Sequence, residues 1–257
     1  MALTDAQWAQ YQRDGYLILG KVLSDQDLKG LQDRIDAIML GEADIDYSKV
    51  LMQLDSATGK YEDAPEQSMG HKGRSLAYRK IQNLEHDRTF REYIEDDLYR
   101  ELCAKVYGPE TPIACFRAMF MNKPAHQGTL LPWHQDAWVY LDRQPEITVW
   151  TALDPATKAN GCVQVIPGSH LLGRINKEHH SGFLTDEQVE KYCKEEDSAY
   201  VELEAGEAVV FHNWLMHRSD VNRTDNSRRG FSVCYMDART VASNRETFTP
   251  LFDRVPA

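Results

Sequence analysis

His134 and Asp136 stand two apart in Trp133-His134-Gln135-Asp136, a pairing of residue types that a transition metal selects. On an extended strand, side chains two apart share a face, so this imidazole and carboxylate can take neighbouring positions on one ion. His217 is the candidate third donor. It follows the apolar run Ala208–Phe211 and the short Trp214-Leu215-Met216. Two histidines and one carboxylate on one face of an octahedron leave three positions open. That suits a non-haem Fe(II) ion that must also bind its reactants. An isolated His-x-Asp arises far more often by chance or as a satisfied core histidine than as a ligand pair, so the surrounding sequence has to decide.

The stretch after His217 strengthens the metal reading. Asn222–Ser227 is rich in turn formers, and Arg228-Arg229 resumes a strand-like run. A hairpin there returns Arg228 beside His217. An interior arginine suits a small carboxylate, because its fork offers two parallel hydrogen bonds. On the face of Arg228, positions 230, 232 and 234 are Gly, Ser and Cys, which leaves room for a ligand. Phe231, Val233 and Tyr235 on the other face are expected in the core, and Arg229 is expected to be a solvated hairpin charge. His212 lies an odd number of residues before His217, which on one strand puts it on the opposite face. His170 belongs to a turn, Pro167-Gly168-Ser169-His170, and His126, His179 and His180 fall in loops. Arg117 and Gln135 could contact substrate, although Gln135 alternates away from the metal face. Trp133 and Trp138 read as packing anchors, and Cys115, Cys162 and Cys234 as small core residues.

The elements that must position these residues change character along the chain. Thr4 can cap a helix over Asp5–Asp14 that Gly15 ends, and Tyr16–Leu19 is a short strand. Ser24 can cap a second helix, with Leu28, Leu31, Ile35 and Ile38 at helical spacing and Gly41 closing it. Residues 42–75 have no period and read as a long loop, and Leu76–Leu84 as a strand. Asp87 caps a third helix carrying Phe90, Ile94, Leu98, Leu102 and Val106 on one stripe, stopped by Gly108-Pro109. From Ile113 short β runs alternate with turns: Ile113–Asn122, Trp133–Tyr140, Ile147–Leu153, Cys162–Ile166, Tyr200–Leu203, Ala208–Phe211 and Gly230–Met236. A polar insertion at 171–199 interrupts them, with a capping box at Thr185 to Gln188 opening a short helix and a solvated charge run at Lys191–Asp197. The expectation is one domain over 1–257, mainly β with N-terminal helices. A helical layer fills about 1–110 and a jelly-roll, cupin-like core (a double-stranded β-helix) about 111–240.

Composition excludes several classes of partner. The 257 residues carry 29 Lys and Arg against 40 Asp and Glu, a net charge of −11. Nucleic acid and anionic membrane surfaces both need a basic footprint, so neither is expected as a partner. No apolar run is long enough to span a bilayer. The first residues show no basic stretch followed by an apolar one, and the last three match no targeting tripeptide. Five cysteines, widely spaced and without a CxxC, argue for a reducing compartment and a cytoplasmic location. Oligomeric state is not legible.

The ordered set of motifs resembles the phytanoyl-CoA dioxygenase-like branch of the Fe(II)/2-oxoglutarate oxygenases. That branch carries an HxD, a distal His and an Arg eleven residues beyond it, here His134, Asp136, His217 and Arg228. The segments DGYLIL, KIQNLEHDRTF, NKP, PWHQD, WTALDPATKANGCVQVIPGSH, GEAVVFHNWLMHRS and NRTDNSRRGFSV follow in the family's order and span most of the chain. The resemblance implies that His134, Asp136 and His217 bind Fe(II). It implies that Arg228 clamps the distal carboxylate of 2-oxoglutarate and that Ser219 adds a hydroxyl donor. Lys80 in RKIQNL, Met119 four residues before the Lys of NKP, and Trp150 in VWTAL match positions lining the co-substrate pocket. The implied reaction takes O2 and 2-oxoglutarate, yields succinate and CO2, and hydroxylates an unactivated C–H bond of a small organic substrate. The same iron centre could instead give desaturation, epimerisation or cyclisation, or the barrel could be a non-catalytic metal and 2-oxoglutarate binding module. Related halogenases replace the carboxylate by Ala or Gly to admit chloride, and Asp136 sets this chain apart from them.

Departures from the family concern the substrate. The family's KPPGSG stretch is here Lys123-Pro124-Ala125-His126-Gln127-Gly128. Loops 42–75 and 171–199, of the kind that shape the substrate site, match no subfamily. The acidic balance favours a small metabolite or natural-product intermediate over a CoA thioester, although Lys49, Lys60, Lys72 and Arg74 could form a local basic patch.

Overall fold

The computed structural model describes residues 3–180 and 182–253. Its helices begin where the caps predict. The Thr4 hydroxyl accepts from the Gln7 amide while the Gln7 side chain accepts from the Thr4 amide, opening α1 (Asp5–Asp14). Gly15 ends it at φ 77°, a left-handed turn that a side chain resists. Strand β1 (Tyr16–Lys21) follows, and Ser24 then caps α2 (Asp25–Leu40). The predicted third helix is two: α3 (Arg88–Ile94), capped by Asp87, and α4 (Asp97–Tyr107), capped by Asp96. The Asp96 carboxylate accepts from the Leu98 amide at 2.8 Å, which starts a new helix and ends the old one. Phe90, Ile94 and Leu102 are buried on both sides of the break, so their spacing concealed it.

The stretch 42–75 is not all loop. It holds β2 (Leu51–Leu54) and β3 (Ser68–Met69), and β2 pairs with β4 (Tyr78–Gln82) to extend the larger sheet. Four residues paired to a strand more than twenty further on leave no periodic trace in sequence.

The β core consists of β5 (Ile113–Lys123), β6 (Leu131–His134), β7 (Ile147–Ala152), β8 (Val163–Val165), β9 (Ala199–Val201), β10 (Glu207–His212), β11 (His217–Ser219), β12 (Arg228–Asp237) and β13 (Thr249–Phe252). The helix α5 (Asp186–Tyr192) opens at the Thr185 capping box in the insertion. The larger sheet runs β1-β10-β7-β12-β5-β4-β2-β3, with β13 also on β5, and the smaller runs β6-β11-β8-β9. These antiparallel sheets face one another as a jelly roll. The outer face of the larger sheet is covered by the N-terminal helices, where Ile35, Ile38 and Phe90 pack with Phe120, Phe231 and Tyr235. Both faces of its centre are therefore covered, and every residue of β7 is buried.

Two predicted elements are corrected. The strand expected over Trp133–Tyr140 ends at His134, because the Gln135 amide turns to Gly182 O and the Asp136 amide to Asn213 O. Asn222–Ser227 does turn the chain, but not within a hairpin. β11 lies in the smaller sheet and β12 in the larger, where Arg228 pairs with Lys123 of β5. Asn222 organises this crossing: its amide donates to Lys123 O and Asn226 O, and its carbonyl oxygen accepts from the Thr224 amide. Arg229 is not a solvated charge. Its guanidinium holds Asp154 through two nitrogens at 2.8 Å and reaches Asp36 of α2 at 2.6 Å, tying the sheet to the helical layer.

All five cysteines are free thiols. Among the described residues no helix is long and apolar enough to cross a membrane.

Candidate metal centre and co-substrate cavity

A cavity of about 420 Å³ opens between the two sheets. His134 ends β6 and His217 begins β11, and the antiparallel register sets them directly opposite each other. The smaller sheet thus brings together two residues far apart in the chain. Asp136 reaches them by a different route from the shared strand face expected. Its peptide leaves the ladder and is clipped to Asn213 O at 2.7 Å, in the segment that leads to His217. Asn213 is itself fixed, donating to Pro145 O at 3.0 Å and accepting from the Thr148 hydroxyl at 2.7 Å.

Donor atoms of His134, Asp136 and His217 lie within 4.8 Å of one another, with His134 Nε2 3.9 Å from Asp136 Oδ1. Each imidazole has its other nitrogen tied to a carbonyl two residues earlier. His134 Nδ1 donates to Pro132 O and His217 Nδ1 to Leu215 O, both at 2.9 Å. A carbonyl only accepts, so Nδ1 holds the proton and each Nε2 presents a lone pair to the cavity. Burial, and then the neighbouring His217, push His134 down to about 3, so it is neutral and ready to ligate without losing a proton. These three side chains could hold one metal ion.

His212 does not join them. The alternation argument for excluding it fails, since His212 ends β10 in the larger sheet while His217 lies in the smaller. What holds it back is a partner set of its own: Nδ1 accepts from the Trp214 amide, and the ring lies 5.0 Å from that of His170. Gln135 is structural, with its side chain spent on Gly173 O, Trp214 O and the Ile175 amide.

Arg228 lies across the cavity, 3 % exposed. One of its terminal nitrogens donates to Gly161 O at 2.9 Å, while its Nε has no partner. Burial alone pulls its guanidinium down to about 10, still charged near neutrality. An orphaned charged donor in a buried cavity is costly unless a ligand completes it. The Trp150 indole lies 5.4 Å from Arg228 and its Nε1 is likewise unpartnered. The space expected at Gly230 is taken by that indole, since a Cβ at 230 would collide with Trp150 Cζ2. Ser219, Met119 and Lys80 line the same cavity. Burial, followed by the charges of Arg79 and Arg117, lowers the Lys80 ammonium to about 7. Every residue that the resemblance implied thus borders this one space. Its donors fit a divalent metal beside a dicarboxylate.

Several cavity residues carried no sequence signal. Tyr61 of the 42–75 stretch and Phe183 of the insertion meet edge to face at 5.2 Å, and Phe183 lies 5.3 Å from His134. The insertion also bridges directly to the metal strand, Phe183 pairing with His134. Lys49, Lys72 and Arg74 form no basic patch there. They are engaged locally with Asp46, Met69 O and Glu42.

A jelly roll with a His/Asp/His cluster in its cavity, facing a buried arginine, defines the class of mononuclear non-haem iron oxygenases that use 2-oxoglutarate. The chain belongs to the phytanoyl-CoA dioxygenase (PhyH) family, which it matches over residues 11–230. It is an oxidoreductase dependent on Fe(II), 2-oxoglutarate and O2. A probable phytanoyl-CoA dioxygenase of Caenorhabditis elegans is 28% identical over 243 residues, covering 88% of this chain and 72% of that one. Among solved structures, EctD from S. alaskensis in its apoform superposes with a TM-score of 0.74 at 19% identity, covering 99% of this chain and 85% of that one. SnoK, a non-heme alpha ketoglutarate dependent carbocyclase from nogalamycin biosynthesis, gives 0.72 at 18% identity, covering 99% and 97%. These likenesses show the shared fold.

Proposed function

We propose that His134, Asp136 and His217 bind Fe(II), and that Arg228 and Ser219 hold the distal carboxylate of 2-oxoglutarate. Lys80, Met119 and Trp150 complete that pocket, and the enzyme hydroxylates a C–H bond of a small organic substrate. The single domain over 1–257 is part of this reading. One observation carries it: two Nε2 lone pairs and a carboxylate converge in the same cavity as an arginine whose Nε has no partner.

Bound iron and 2-oxoglutarate would supply oxidative decarboxylation, forming succinate and CO2 and oxidising the substrate. The residues of the chain do the rest. Pro132 O and Leu215 O fix the imidazole tautomers. Asp136 would add negative charge to a divalent ion, and with only three protein donors the ion would keep room for its reactants. Arg228 presents a charged donor that stays protonated through the physiological range, beside an indole N–H. Leu131, Val163 and Phe211 wall the cavity with hydrocarbon and limit water around the reacting atoms.

Anaerobic addition of Fe(II) and 2-oxoglutarate to the purified protein is expected to produce a weak visible charge-transfer band. Air should then release succinate slowly even without substrate. Absence of both in a folded protein, with His134→Ala indistinguishable from the parent, overturns the reading.

A further inference from the structure

The cavity has the opposite charge balance to the chain. Against a net charge of −11, its lining includes Arg79, Lys80, Arg117, Lys123, Arg218 and Arg228 and a single carboxylate, Asp136. Four of these cations are already engaged or assigned. Arg218 pairs with Glu195 at 3.2 Å, Lys123 donates to Thr129 O at 2.6 Å, and Arg228 and Lys80 serve the co-substrate in the reading above. Among the described residues, Arg79, Lys80 and Arg117 have no carboxylate within ion-pair distance. Arg79 gives one nitrogen to Gln53 and lies over the Tyr61 ring. Glu246 reaches the Tyr140 hydroxyl, which also bonds Arg117.

Iron, Asp136, the two charges of 2-oxoglutarate and Arg228 neutralise one another. Arg117 then remains without a carboxylate partner, while Arg79 keeps the charge of Asp55 beyond ion-pair distance. Arg79 and Arg117 both add to burial in lowering the Lys80 ammonium. Clustered like charges without a counter-charge are destabilising, and a bound anion relieves them.

Arg117 is placed for a different molecule from 2-oxoglutarate. In the β5–β12 ladder Lys123 stands opposite Arg228, Met121 opposite Gly230, Met119 opposite Ser232 and Arg117 opposite Cys234. Six residues of strand put Arg117 about 20 Å along the cavity floor from the level of Arg228. The carboxyl carbons of 2-oxoglutarate are only about 6 Å apart. The Arg117 guanidinium does not lean toward Arg228, because it is held 4.8 Å from the Phe116 ring and 5.3 Å from the Trp138 ring. A co-substrate at Arg228 therefore leaves Arg117 free.

We propose that the substrate is a small organic oxyanion, a carboxylate or a phosphonate. Its charged group is held by Arg117 at the end of the cavity away from Arg228. Its hydrocarbon part lies between Trp138 and the metal cluster. This rests on the iron and 2-oxoglutarate reading of the cavity. The volume of about 420 Å³ is shared with 2-oxoglutarate and lies toward the small end of ligand sites, which suits a small acid.

The test uses protein loaded with Ni(II), which supports binding without turnover, and saturating 2-oxoglutarate. Short straight-chain and phenyl-substituted carboxylates, the matching phosphonates and the matching primary amides are titrated in by calorimetry, with melting temperature as a second readout. Carboxylates or phosphonates are expected to bind at least about tenfold more tightly than their amides. Arg117→Met should erase that preference while leaving amide affinity in place, and Arg117→Lys should retain part of it. Should the methionine variant fail to fold, the lysine variant decides by whether the acid preference drops. The inference is overturned if amides bind as well as acids, or if the acid preference survives undiminished in the Arg117 variants. It is also overturned if excess 2-oxoglutarate displaces the acids, or if a parent protein that binds 2-oxoglutarate binds none of them. A parent protein that does not bind 2-oxoglutarate sinks the underlying reading instead.

Discussion

His134 and His217 face each other across the β6–β11 ladder with ring centroids 4.0 Å apart. Directly opposed residues of an antiparallel pair hold their side chains close on one face. The carbonyls of Pro132 and Leu215 then aim both Nε2 atoms into the cavity. Replacing either histidine by alanine is expected to weaken Mn(II) binding by more than about 100-fold, beyond the 10–100-fold typical of lost outer hydrogen bonds. Calorimetric titration measures this, and circular dichroism checks that the fold survives. Removing the metal from the parent should lower its melting temperature, because only the folded ladder assembles the donors.

Arg228 is expected to serve 2-oxoglutarate and not the metal. Arg228→Met should weaken 2-oxoglutarate binding by about 10–100-fold, the loss of a charged hydrogen bond, with Mn(II) affinity little changed. Arg228→Lys keeps the charge but not the fork and should recover only part of the loss. Fluorescence titration of the Mn(II)-loaded variants separates the two affinities.

Lys80 should make 2-oxoglutarate binding pH-dependent. In the folded protein burial, then Arg79 and Arg117, bring its ammonium to about 7 from the ordinary 10.5. The ammonium is present below that value and lost as pH rises through it, and a bound dianion restores it. Affinity should therefore fall above about pH 7, with net proton uptake on binding at pH 8. Calorimetry in buffers of different ionisation enthalpy reads that uptake, which Lys80→Met should abolish. Stability follows the same sign. Between 7 and 10.5 the unfolded chain binds the extra proton, so the ligand-free protein should gain stability with rising pH, and Lys80→Met should flatten that slope.

Gly230→Ala should act through Trp150. The glycine does not have a positive φ, so only space forbids the methyl group, and that space belongs to the indole. Overpacking of this kind costs about 1–3 kcal/mol. The displaced indole should also weaken 2-oxoglutarate binding more than metal binding. Trp150→Leu in the same chain should recover part of the stability, as read by denaturant titration.

The legible part of this protein is the part written in short-range terms. Thr4, Ser24, Asp87 and Thr185 marked their helix starts because a cap acts within one turn. The alternation in Gly230–Met236 told cavity from core because side-chain direction on a strand has period two. His134, Asp136, His217 and Arg228 stood out by type and by the spacing of a resembled family.

Tertiary structure decided what depends on distant pairing. The two-apart spacing of His134 and Asp136 suggested a shared strand face, yet the strand ends between them, and Asn213 of another segment sets the carboxylate. Arg228 belongs opposite Lys123 and not in a hairpin with His217, since the turn at Asn222 crosses between sheets. Arg229 looked solvated until Asp154 and Asp36 met it from elements far away in sequence. Tyr61 and Phe183 became cavity residues only when the sheets and their two long connections closed. Residue types and local periodicity are properties of neighbours along the chain, and those the sequence carries by itself. Which donor faces which, and the charge inside the cavity, arise from contacts between residues that have no periodic relation, so only the folded chain determines them.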